Sequence, residues 1–190
     1  KLYNLHRLAE KTLSLSMVSS VFNKQIKKIS GNISPVLNIQ LGLILGLPKD
    51  KRLVYYYHQE SSYYKNFKHL ITCHFPLFYK SKVFNGTMSA LDKSHIIGKL
   101  KFKRHKPSKD SYGTPIPKNI EKLKKKHDEI FFDLNPGDVL YFHQNLIHRS
   151  NYNNSKNTRT VGVYRLAQTS DKGKLRGEKF VTLQLSEGQV

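Results

Sequence analysis

From Val36 onward the sequence is a succession of short β-type runs, and no stretch between them reads as a crossover helix. The runs are Val36–Leu47, Leu53–His58, Leu70–Phe78, Thr87–Leu91, Ile130–Leu134, Val139–His143 and Thr160–Leu166, with Lys179–Leu185 as an eighth. Turn signals separate them: Leu47-Pro48-Lys49-Asp50, Asn85-Gly86, Asn135-Pro136-Gly137-Asp138 and the polar stretch Asn151 to Asn157. A parallel α/β sheet needs helices between its strands, so that class is excluded. The expectation is a mainly β domain, a sandwich or barrel. A leading helix is expected over Leu2 to Ile29, where Leu5, Leu8, Ala9, Met17, Val18, Phe22 and Ile26 approximate a helical stripe before Gly31, Asn32, Ser34 and Pro35 break it. The 190 residues read as one domain: a helical part over 1–35, a β core over 36–98 and 129–185, and an insertion over 99–128.

That insertion is where charge concentrates. Of a formal net charge of +20, the segment Lys99 to Lys126 carries eleven Lys and Arg against Asp110 and Glu121. It reads as an exposed loop or helical insertion, a mobile lid over an anionic substrate. Elsewhere the lysines are dispersed and rarely clustered with aromatics, which argues against a nucleic-acid platform. The single cysteine, Cys73, excludes an intrachain disulfide and a cysteine metal cluster, and suits a reducing, cytoplasmic setting. The longest apolar run, Val36 to Leu47, is interrupted by Asn38 and Gln40 and is too short to span a bilayer, so a soluble protein is expected. The chain starts at Lys1 and not at methionine, which leaves room for sequence upstream. Asn153-Asn154-Ser155 is a formal glycosylation triplet, read here as loop.

Chemistry enters at Tyr57-His58-Gln59-Glu60. On a strand, alternate side chains share a face, so His58 and Glu60 would offer an imidazole and a carboxylate to one metal ion. His148, just after the run Val139–His143, is placed to supply a third ligand. Two histidines and a carboxylate form the facial set that leaves three positions open on iron(II). An oxygenase that chelates a keto acid and binds O2 needs those three. The distal carboxylate of 2-oxoglutarate would then need a fixed cation, and Arg159, eleven residues after His148 at the head of an apolar strand, suits it because its fork can bind bidentately.

Over Leu53 to Leu166 the sequence also resembles the phytanoyl-CoA dioxygenase-like branch of the iron(II)/2-oxoglutarate oxygenases. The shared features are the His58-Gln59-Glu60 step, Pro76-Leu77, Asn85-Gly86 leading to Ser94-His95 and Gly98, and Leu134-Asn135-Pro136-Gly137-Asp138 before an apolar strand, followed by His148-Arg149-Ser150 and Arg159. The resemblance implies a double-stranded β-helix (jelly roll) with the site in its mouth, cofactors Fe(II), 2-oxoglutarate and O2, and Ser150 helping Arg159 hold the cosubstrate carboxylate. There are two departures. Glu60 stands where the family usually has aspartate, and His74 stands where it often has tryptophan; His74 is read here as a satisfied core histidine in preference to a cavity group. A carboxylate at position 60 argues against a halogenating relative, which would need a small residue there.

The reaction expected is hydroxylation of a C–H bond of a small, anionic organic substrate, with release of succinate and CO2. The cavity is expected to be lined by the Tyr55–Tyr57 and Tyr63–Tyr64 clusters and by the basic insertion. The competing readings are an inactive jelly-roll binding module, a nucleic-acid-directed oxygenase of the same fold, and a zinc hydrolase. The last would use the same three ligands and have no role for Arg159.

Overall fold

The computed structural model describes residues 36–168 and 180–183. The expected N-terminal helix lies outside them. Ten strands and one short helix follow in order: β1 (Val36–Gly46), β2 (Leu70–Pro76), β3 (Met88–Leu91), β4 (Phe102–Arg104), β5 (Pro115–Pro117), α1 (Ile120–Lys124), β6 (Glu129–Phe131), β7 (Leu140–His143), β8 (His148–Ser150), β9 (Arg159–Gln168) and β10 (Phe180–Leu183). They form a five-stranded sheet in the order β10-β1-β9-β2-β7, a three-stranded sheet in the order β6-β3-β8 and a two-stranded ribbon, β4-β5. Every pairing is antiparallel. One cavity is walled by β1, β2, β7 and β9 of the larger sheet and by β3 and β8 of the smaller one. Two antiparallel sheets closed on such a cavity make the jelly roll.

Consecutive strands such as β7 and β8 belong to different sheets, so the turn between them must cross the molecule. The crossing is pinned by side chains. Ser94 Oγ accepts the Ile147 amide at 2.9 Å, and Leu91 donates its amide to the Ile147 carbonyl. Ile147 is fully buried with Leu91, Tyr57, Ile120 and Leu123. At the opposite end of the smaller sheet, Gly86 takes a left-handed φ of 81°. A Cβ there would meet the Asn151 carbonyl oxygen at 2.6 Å, so only glycine closes the Asn85-Gly86 turn without displacing the loop beside β8.

Two sequence expectations are corrected here. The run Leu53–His58 is not a ladder strand, for only His58 forms an isolated bridge, to His148. The segment still lies along β8, since Ser150 donates its amide to the Tyr55 carbonyl and His58 and His148 exchange both backbone bonds. The insertion holds the helical segment expected, but its remainder is not a mobile loop. It folds as the β4-β5 ribbon and then α1, whose Ile120 and Leu123, three residues apart, are buried against Tyr57 and Leu91. Its eleven lysines and arginines are all exposed. Among the described residues, no helix is long and apolar enough to cross a membrane.

Candidate metal and cosubstrate site

His58, Glu60 and His148 come together. Their donor atoms all lie within 4.8 Å of one another and all three side chains are buried. The geometry differs from the one the sequence suggested. Glu60 opens a 3-10 turn, Glu60–Ser62, so it reaches His58's side of the chain through a turn and not through strand alternation. Gln59 between them points elsewhere and acts as a clamp. Its Nε2 donates to the carbonyls of Gly98 and Asn145 at 2.9 and 2.7 Å, and its Oε1 accepts the Leu100 amide at 3.0 Å. The two candidate ligands are thus carried by a segment tied to the crossing turn that delivers the third.

The protonation states suit a metal. His58 Nδ1 lies 2.6 Å from the Tyr56 carbonyl oxygen, and His148 Nδ1 lies 3.0 Å from that of Leu146. A carbonyl can only accept, so each Nδ1 carries the hydrogen and each Nε2 keeps its lone pair free. Burial, with His148 alongside, pushes His58 down to about 3, which keeps it neutral. Burial alone would raise Glu60, but the Arg165 guanidinium overrides it and holds the carboxyl well below the usual range. Glu60 Oε1 lies 3.6 Å from His148 Nε2, while Oε2 accepts from Arg165 Nε at 2.8 Å. Two imidazoles and a carboxylate, buried and turned on one point, are the donor set that iron(II) or zinc would take.

Above this cluster opens a cavity of about 500 Å³. Its wall on β9 carries Arg159, Val163 and Arg165, which strand alternation puts on one face. Arg159 is 3% exposed, and its Nε and Nη1 are buried without a hydrogen-bond partner. Burial lowers its pKa to about 10. Opposite it in the ladder stands Gly46, where a Cβ would come within 3.4 Å of Nε and Nη2. Asn153 is buried here too and donates Nδ2 to the Gly46 carbonyl at 2.7 Å, so the side chain of the formal glycosylation triplet is an internal staple. Ser150 also lines the cavity, with its Oγ accepting the Tyr55 amide at 2.7 Å.

On the neighbouring strand β2, Thr72 and His74 face the same cavity, and Thr72 Oγ1 and His74 Nε2 are buried without partners. His74 is therefore a cavity residue, not the satisfied core histidine expected. Of the tyrosines expected in the wall, Tyr55, Tyr63 and Tyr64 line it. Tyr57 instead belongs to the core cluster on the far side. The basic segment contributes Tyr112, stacked on Tyr55 at 4.6 Å, while its cations face solvent, so it supplies no cationic lid. The group that sequence reading missed is Arg165. A charged residue inside an apolar run, six positions and hence one face from Arg159, was the available signal.

The comparisons agree with this architecture. The sequence model of the phytanoyl-CoA dioxygenase (PhyH) family matches residues 5–161. No curated protein matches the sequence. Among solved structures, the chain is similar to EvdO2 from Micromonospora carbonacea var. aurantiaca, at a TM-score of 0.66 and 15% identity over 84% of this chain and 64% of that one. It is similar to EctD from S. alaskensis, solved with 2-oxoglutarate and 5-hydroxyectoine, at 0.61 and 18% over 86% and 52%. A third is the epimerase SnoN, solved with Fe3+, alpha ketoglutarate and nogalamycin RO, at 0.58 and 14% over 77% and 55%. The chain thus spans 52 to 64% of the length of these three proteins.

Proposed function

Since the chain belongs to the phytanoyl-CoA dioxygenase family, we propose that it is a non-haem oxygenase that holds Fe(II) on His58, Glu60 and His148 and uses 2-oxoglutarate and O2 as cosubstrates. The observation that carries the reading is Arg159. A guanidinium that is 3% exposed, with two nitrogens unpartnered, is costly to keep unless an anion completes it. A metal hydrolase with the same three ligands would have no use for it. The distal carboxylate of a dicarboxylic keto acid is such an anion, and its other end would then lie over the ligand cluster that shares the cavity.

Iron bound at the three ligands would supply the O2 chemistry: oxidative decarboxylation of the keto acid to succinate and CO2, coupled to oxidation of a substrate C–H bond. The protein's own residues bind, orient and exclude water. His58 and His148 are held with Nε2 toward the metal point because their Nδ1 atoms are engaged by backbone carbonyls. Arg159 fixes the cosubstrate's length and direction, and Ser150 lines the same cavity. Thr72 and His74 offer further polar atoms to the bound acid. Tyr55, Tyr63 and Tyr112 give the wall flat apolar faces with polar tips, suited to a small organic substrate presented edge or face on. No acid or base is required of these side chains, since the rate enhancement asked of the protein is placement of one C–H bond. The substrate's own charge is not set by the basic segment, whose cations lie outside the cavity.

The test is release of CO2 from carboxyl-labelled 2-oxoglutarate by the protein with Fe(II) and O2. Label release that disappears in His148→Ala, with iron content falling in parallel, is the expected result. Iron retained at full occupancy with no decarboxylation would favour the inactive binding module.

A further inference from the structure

The carboxylate ligand in this chain is one methylene longer than the aspartate that the resemblance leads one to expect, and longer arms are less well fixed. The structure contains a device that fixes it. Glu60 Oε2 accepts from Arg165 Nε at 2.8 Å, and Glu60 Oε1 is the oxygen turned toward His148, 3.6 Å from its Nε2. The guanidinium itself is placed by β9, whose register with β2 sets Arg165 opposite Thr72, and by the face of Tyr64, 5.1 Å from the guanidinium carbon. One carboxylate oxygen is therefore engaged by Arg165 while the other is turned toward His148.

A carboxylate can take one coordination position or two. If both oxygens of Glu60 reached the metal, two positions would remain open, too few for a chelating keto acid and O2 together. We propose that Arg165 is a positioning residue that holds Glu60 as a one-oxygen ligand and so keeps three positions on the metal open. The inference rests on the assignment of His58, Glu60 and His148 as the metal ligands, but not on which keto acid is used.

Open positions can be counted with cobalt(II) in place of iron, by absorption, without turnover. Oxalate takes two positions, and azide binds the oxalate complex only where a third is left. In the unaltered protein both bind. In Arg165→Met, cobalt and oxalate bind and the azide affinity of the oxalate complex falls tenfold or more, roughly the scale on which partners of metal ligands act. Arg165→Lys separates charge from placement. It keeps the positive charge without the fixed Nε, and its azide affinity stays depressed several-fold; it also decides the matter if the methionine variant does not fold, as judged by circular dichroism. Azide affinity within twofold of the unaltered protein in Arg165→Met would overturn the proposal. So would full recovery in Arg165→Lys, which would reduce Arg165 to a neutralising charge. Cobalt protein that takes oxalate and azide but never 2-oxoglutarate would refute the cosubstrate assignment and leave this inference standing.

Discussion

The cavity wall and the basic segment hold the chain's cations in opposite ways. Lys99 to Lys126 carries eleven of them, all exposed. One face of β9 carries two, Arg159 and Arg165, the first buried with two nitrogens unpartnered, the second bonded to Glu60. In water a charge is well solvated and its pairing contributes little; out of water it must be satisfied, and what satisfies it is specific. The loudest feature of the composition is thus the less informative one, and the proposed chemistry turns on two residues of one strand.

The contrast can be broken by acid. Burial holds His58 and His74 down to about 3 from an ordinary 6.5. The folded protein keeps both neutral while the unfolded chain takes up protons, so their contribution to stability is complete above about pH 6.5 and is lost as pH falls toward 3. Each could remove about 1.4 kcal/mol per pH unit in that window. Thermal melts of metal-free protein check it; melting temperatures flat between pH 6.5 and 4.5 would mean that the two rings are hydrated.

A smaller effect concerns Arg159. Replacing an unpartnered buried charge by an apolar side chain of similar length removes a desolvation cost, so Arg159→Met should stabilise the protein without cosubstrate by about 1–3 kcal/mol. Urea denaturation measures this, and a destabilised variant would show that Arg159 is already satisfied. The smallest effect belongs to the outside. Lys101→Glu, Lys103→Glu and Lys122→Glu combined should move stability by no more than about 0.5 kcal/mol per site and leave cosubstrate affinity within about twofold. A larger loss of affinity would restore the cationic lid.

What the sequence disclosed follows the same division. The turns at Asn85-Gly86 and Asn135 to Asp138, the mainly β class and the order of most strands were legible because alternation and turn residues are local signals. His58, Glu60 and His148 were legible as a set, although the reason given for the first pair was wrong: a turn, not a strand, brings Glu60 round. The ribbon β4-β5 was hidden because its strands are three residues long and one is Pro115-Ile116-Pro117. The sequence marked Arg165 as a charge within an apolar run but not its partner Glu60, and the cavity-facing position of His74 was not legible, since both depend on which face of β9 and β2 meets the cavity, and that is set by cross-strand register.

The central claim is that Arg159 measures a dicarboxylic keto acid against the metal. Pyruvate offers iron the same chelating end as 2-oxoglutarate and no distal carboxylate. Both should be titrated anaerobically into the Fe(II) protein and into Arg159→Ala, following the visible metal-to-ligand charge-transfer band. The account predicts that the unaltered protein prefers 2-oxoglutarate by roughly 10–150-fold, the worth of about 1.5–3 kcal/mol for hydrogen bonds to a charged group, and that the preference collapses in Arg159→Ala. Equal affinities in the unaltered protein, or a preference that survives loss of the arginine, would contradict it.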